Sequence, residues 1–179
     1  GLVEFIVGIN EFKVSIKGRP DHAGTTPMNM RKDALVAASQ VISKIEEFAV
    51  NAKEGTVATV GTLDILPGAA NIVPGEVQFT VDIRSKNKIC IDEVKKNIEL
   101  TLVKIEKEQN LKCSIKELLN VKPVSMSKEI IEIFEKKSIE NDFTYKIMTS
   151  GAGHDAMIMA SLTDVGLVFV PSKDGRSHC

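Results

Sequence analysis

Residues 76–84 alternate without a break: Val77, Phe79, Val81 and Ile83 fall on one side and Glu76, Gln78, Thr80, Asp82 and Arg84 on the other. A period of two is the mark of a strand with one face buried and one face wet. Such a strand needs partner strands and an apolar cover, and the surrounding sequence offers both. Residues 11–17 alternate in the same way, with Phe12, Val14 and Ile16 opposed to Lys13, Ser15 and Lys17. Residues 56–66 are rich in Val, Thr and Ile and run into the Gly/Pro-punctuated turn LPGAANIVPG. Leu111, Cys113 and Ile115 give a fourth strand. Two helical stripes lie between these strands. Leu35, Ala38, Ile42, Ile45 and Ala49 form the first, with Asn29 as a candidate N-cap; Ile91, Val94, Ile98, Leu102 and Ile105 form the second.

The order is strand, helix, strand, strand, helix, strand. It specifies an α+β, ferredoxin-like unit, a four-stranded antiparallel sheet with both helices on one face. Residues 7–119 make up this unit. Its other sheet face carries Lys13, Lys17, Asp82 and Arg84 and is left to solvent or a partner.

At Val121-Lys122-Pro123 the pattern changes. Ser127 can cap a helix running to about Glu140, with Ile130, Ile131 and Phe134 on its apolar side. A short strand near residues 145–148 leads to TSGAGHDA, a short helix at 156–161, the apolar run 167–170 and the ending PSKDGRSHC. This alternating order fits part of an α/β domain, but some 60 residues cannot close a sheet and core. Residues 1–6 read as the end of a linker. The start without Met and the stop at Ser-His-Cys are expected of a piece of a longer chain.

Composition narrows the function classes. Lys+Arg number 23 against 24 Asp+Glu, with no basic stripe carrying aromatics, so nucleic acid is not the expected partner. No apolar run is long enough for a membrane helix. Three cysteines, an odd count without CxxC, point to a reducing, cytoplasmic setting.

Polar groups that core packing does not require gather at four places. The loop GRPDHAGTTPM, residues 18–28, carries His22 between Asp21 and Ala23. A loop of this length between a strand and a helix is a habitual place for binding groups, although a lone histidine there is commonly a turn residue bonded to backbone. Asn71, between Gly68-Ala69-Ala70 and Pro74-Gly75, is either a turn former or a donor to a ligand oxygen. Arg84 either pairs with Asp82 or forks onto a carboxylate. Closeness in sequence lets Asn71 and Arg84 converge on one anion. Gly151-Ala152-Gly153-His154-Asp155 opens a helix and is compatible with phosphate binding, a plain turn or a catalytic loop. His178 follows an apolar strand and a Gly turn, a place for a metal ligand, but one histidine does not make a metal site.

Together, GRPDHAGTTPMNMRKDA, GAANIVPGEVQFTVDIRS, SGAGHDA and VPSKDGRSHC resemble the N-carbamoyl-L-amino acid hydrolase, allantoate amidohydrolase and β-ureidopropionase family, which stands with the aminoacylase-like metallopeptidases. The likeness covers nearly the whole chain. It implies a two-domain, cytoplasmic hydrolase of carbamoyl or ureido C–N bonds. A catalytic α/β domain holds two divalent metal ions (Zn, Mn, Co or Ni), and an inserted ferredoxin-like lid makes the homodimer. Residues 120–179 then belong to the catalytic domain. His22 would reach the partner's active site and stabilise an oxyanion. Asn71 and Arg84 would hold the substrate carboxylate, His154 and Gly153 would contact substrate, and His178 would ligate metal. The remaining ligands and the Glu base lie, in the family, ahead of residue 1, so the 179 residues alone should be inactive. A non-catalytic dimerisation module and a dipeptidase or aminoacylase relative are the alternatives.

Overall fold

A computed structural model describes residues 1–176 of the chain. It divides into two compact units, 9–121 and a second made of 1–8 with 122–179. The strands are β1 (Leu2–Ile6), β2 (Gly8–Lys17), β3 (Asp21–His22), β4 (Val57–Leu66), β5 (Ile72–Val73), β6 (Glu76–Ser85), β7 (Lys112–Val121), β8 (Val124–Ser125), β9 (Ile147–Ser150) and β10 (Leu167–Val168). The α-helices are α1 (Ala34–Ala52), α2 (Lys88–Gln109), α3 (Lys128–Glu140) and α4 (Ala156–Met159).

In the larger unit the sheet order is β4-β6-β2-β7, the split βαβ arrangement that the element order specifies. β7 runs antiparallel to β2, and β4 antiparallel to β6. The end of β2 meets the start of β6, where Gly18 N–H donates to Gly75 O at 2.8 Å. The alternation of β6 is realised fully. Val77, Phe79, Val81 and Ile83 are inaccessible, and with Phe12, Val14 and Ile16 they form the sheet side of the core. The helix side is Ala34, Ala37, Ala38, Val41 and Ile45 of α1 and Ile91, Val94, Ile98, Leu102 and Ile105 of α2. With no Trp and few aromatics, α1 lies close to the sheet on a seam of alanines. That seam is turned relative to the expected stripe, leaving Leu35 and Ile42 only partly buried.

Three local expectations are corrected. The cap of α1 is Asp33, not Asn29: Asp33 Oδ1 accepts from Leu35 N at 2.9 Å and Val36 N at 3.1 Å. Asn29 sits in a 3-10 turn, Met28–Met30, ahead of the helix. The fourth strand does not stop near Ile115 but continues to Val121, because a register shift opposite Glu11 and Phe12 absorbs the loss of alternation. Residues 1–6, read as linker, contain β1 (Leu2–Ile6), whose partners all come from beyond residue 123.

The smaller unit is built around β1. It pairs antiparallel with β10 through Leu2 and Val3, antiparallel with β8 through Phe5 and Ile6, and parallel with β9. Its buried cluster is Val3, Ile6 and Met126, backed by partly buried Ile131, Met148, Leu167 and Phe169. Among the described residues, no helix is long and apolar enough to cross a membrane.

One charged cluster fixes α2 to the sheet. Glu117 Oε2 accepts from Lys95 Nζ at 2.9 Å, Asn10 Nδ2 at 2.9 Å and Asn120 Nδ2 at 3.2 Å. These donors, Lys95 first, pull the Glu117 pKa down to about 2. A carboxylate stabilised in this way contributes in full above its ordinary pKa, and the contribution is lost as pH falls through the folded value. Glu117→Gln is therefore expected to lower the melting temperature at neutral pH, with the gap to the unaltered chain closing as pH falls toward 2. Thermal melts across that range check it.

Candidate functional site

The loop from Gly18 to α1 is closed across its base by an antiparallel bridge between Arg19 and Lys32. Its entry needs glycines. A Cβ at Gly18 would lie 1.9 Å from Lys32 O, and one at Gly75 would lie 2.6 Å from Pro20 Cδ. This close approach lets Arg19 N–H donate to Lys32 O at 3.0 Å. Arg19 Nε also holds Asp21 Oδ2 at 2.8 Å.

The next residues form a short ladder that the sequence did not announce. β3 pairs antiparallel with β5, placing Asp21 opposite Val73 and His22 opposite Ile72. Ala23 N–H then donates to Asn71 O at 2.9 Å. His22 and Asn71, 49 positions apart by their numbers, are thus carried on one small two-stranded platform, both exposed.

The His22 ring is held by the backbone that follows it. Gly24 N–H and Thr25 N–H donate to His22 Nδ1 at 3.0 and 3.2 Å. With two donors aimed at Nδ1, that nitrogen is the acceptor, and the neutral ring carries its proton on Nε2. The opposite edge of an exposed ring is then an N–H donor. The expectation of a histidine bonded to backbone is met through Nδ1, and Nε2 is left on the exposed edge of the ring.

Arg84 is elsewhere. It lies near the far end of β6 from the Asn71 loop, opposite Val57 at the start of β4. From Glu76 to Arg84 the strand covers roughly 26 Å at about 3.3 Å per residue. Asn71 and Arg84 of one chain therefore do not converge on a single anion, and their closeness in sequence was misleading. Arg84 donates from Nε to Asp82 Oδ1 at 2.8 Å and from Nη2 to Asp82 Oδ2 at 3.1 Å. These bonds raise its pKa above the ordinary guanidinium value and set the plane of the fork.

In the smaller unit, His154 Nε2 is 2.8 Å from the buried Ser150 Oγ, and its ring tilts against Phe169 at a centroid distance of 5.6 Å. Ser150 Oγ also receives Ala152 N–H at 3.2 Å and lies 3.0 Å from Ala152 O. The serine thus fixes both the Gly151–Gly153 turn and the histidine that follows. Gly153 is exposed in this turn. The turn does not open an anion-binding helix: α4 spans only Ala156–Met159, and the side chain of Asp155 makes no capping bond. One turn of helix brings little dipole to its N-terminus. His178 lies outside the described residues. Among those described, no group of three or more His, Cys, Asp or Glu is placed to hold a metal ion. The two metal ions implied by the sequence resemblance therefore find no ligand set in the described residues.

Comparison with known proteins gives this arrangement a context. An N-carbamoyl-L-amino-acid amidohydrolase of Paenarthrobacter aurescens is 41% identical over 178 residues, covering 99% of this chain and 43% of the relative. An allantoate amidohydrolase of Escherichia coli is 33% identical over the same share of each. The crystal structure of an amidase of the hydantoinase/carbamoylase family from Burkholderia multivorans superposes with a TM-score of 0.90 at 29% identity, covering 98% of this chain and 43% of that one. The chain thus spans less than half the length of the relatives it matches. The sequence model of the peptidase dimerisation domain (M20_dimer) matches residues 6–110, more than half of the chain and nearly all of its larger unit, and the chain belongs to that family.

Proposed function

We propose that the chain supplies the dimerising lid and part of the catalytic domain of a hydrolase that cleaves the carbamoyl or ureido C–N bond of N-carbamoyl amino acids or allantoate-like substrates. The observation that carries the reading is the β3–β5 platform, which joins His22 and Asn71 and leaves the Nε2–H of His22 on an exposed edge. The names of the relatives supply the substrate class.

In this reading the His22 Nε2–H donates to the carbonyl oxygen of the scissile bond as it becomes an oxyanion. A donor fixed in advance costs no reorganisation when charge develops, which is why such groups accelerate acyl transfer. Asn71, tied to the same platform, donates to a substrate oxygen. Arg84 binds the substrate carboxylate, with Asp82 presenting its guanidinium in one plane. Since His22 and Asn71 travel together and Arg84 sits at the other end of β6, a substrate held by all three lies between two copies of the lid, with the platform of one facing Arg84 of the other. His154, positioned by Ser150, contacts substrate, with Gly153 beside it. Two divalent metal ions remain part of the proposal through the family resemblance. Their ligands come from outside the described residues, with His178 as the candidate in this chain.

A panel of N-carbamoyl amino acids, N-acyl amino acids, dipeptides and allantoate, assayed on the gene product as the cell makes it, tests the class. Turnover confined to carbamoyl or ureido compounds is expected. Turnover of N-acyl amino acids or dipeptides alone would replace the reading with an aminoacylase or dipeptidase. A second reading, a dimerisation module that takes no part in chemistry, is favoured by the description of the matched family. It requires that removing His22 or Arg84 leave turnover intact.

A further inference from the structure

We propose that Arg31 is a positioning residue that holds His22 in its Nε2–H tautomer. The inference rests on the role given to His22 above. Arg31 Nη2 donates to Ala23 O at 2.6 Å and Arg31 Nε donates to Thr26 O at 3.0 Å. Gly24 and Thr25, whose amides address His22 Nδ1, lie between those two carbonyls. One rigid guanidinium fork therefore ties down both ends of the segment that sets the tautomer. Bonds from a charged donor are stronger than those between neutral groups, and the planar fork needs little ordering to make two at once.

The turn closes further through Thr26 N–H, which donates to His22 O at 3.1 Å. The ring rests against Gly24, where an added Cβ would stand 3.2 Å from His22 Cε1. Small shifts of this segment thus reach the ring directly. Arg19, the other arginine of the loop, is bonded instead to Asp21 and to Met30 O. Arg31 touches none of the atoms that would meet substrate; it acts through His22.

Two measurements test the proposal. In the gene product as the cell makes it, with 15N-labelled histidine, long-range 1H–15N spectra read which ring nitrogen carries the proton. The unaltered chain should show His22 protonated on Nε2. Arg31→Ala should mix the two tautomers and speed amide exchange at Gly24 and Thr25 by about tenfold or more, with the spectra of α1 and the sheet unchanged. Arg31→Lys, which can keep one of the two bonds, should fall between. His22 protonated on Nδ1 in the unaltered chain, or a tautomer unmoved in Arg31→Ala, would overturn the assignment. In the gene product as the cell makes it, Arg31→Ala should lower kcat roughly 10- to 100-fold with KM little changed. A normal kcat in Arg31→Ala beside a depressed kcat in His22→Ala would overturn the positioning role while sparing His22. If His22→Ala itself turns over normally, the proposed function fails instead, and the spectra still decide whether Arg31 sets the tautomer.

Discussion

Replacing His22 with Ala is expected to lower kcat by about 10²- to 10³-fold and to leave KM nearly unchanged. The expectation follows from what His22 offers. Its Nδ1 is taken by Gly24 and Thr25, so the ring can serve the substrate only through Nε2–H. A donor that meets an oxyanion counts most in the transition state, and its loss therefore falls on kcat. His22→Gln, which keeps an N–H donor on a similar stem, should recover part of the rate. Steady-state kinetics on an N-carbamoyl amino acid separate the two parameters. A rise in KM at constant kcat would make His22 a substrate-binding residue rather than a catalytic one.

The second large effect is expected at Arg84. Arg84→Ala should raise KM for a carboxylate-bearing substrate by roughly 30- to 150-fold, the equivalent of about 2–3 kcal/mol for hydrogen bonds to a charged group. The same substrate with its carboxylate converted to an amide should bind the variant and the unaltered enzyme equally well. Arg84→Lys should not restore binding, because an ammonium cannot reproduce the fork that Asp82 holds in plane. Asp82→Asn should have an intermediate effect, loosening the guanidinium without removing it. Equal losses for the carboxylate and the amide would mean that Arg84 serves the fold and not the substrate.

The fold of the larger unit was open to a reader of the sequence because its signals are long. β6 alternates over its whole length, and α2 repeats its apolar residues at helical spacing through five positions, all of which are buried. The seam of α1 was displaced because alanines, which carry little hydrophobic signal, do the packing while Leu35 and Ile42 lean to one side. β1 was missed for a different reason. Its partners lie more than a hundred residues away, and a strand whose neighbours come from the far end of the chain leaves little local pattern.

The candidate site was legible by residue type and not by arrangement. His22, Asn71, Arg84 and His154 stood out as polar groups in loops or on a wet strand face. β3 and β5 are two residues long each, too short for any periodicity, so the bond that joins the His22 loop to Asn71 could not be read. Proximity in sequence then suggested that Asn71 and Arg84 of one chain meet, where an extended strand keeps them apart. Arg31 gave no sign at all, since an arginine ahead of a helix is usually a solvated charge.

The central claim is that His22 of one chain and Arg84 of another serve the same substrate. Co-expression of His22→Ala and Arg84→Ala subunits under different tags, followed by purification of the mixed dimer, tests it most directly. If the two residues act across the dimer, the mixed form holds one site with both residues intact and one with neither, and should show about half the activity of the unaltered dimer. If they act within one chain, every site of the mixed dimer lacks one of them, and activity no higher than that of the two parent variants would contradict the account.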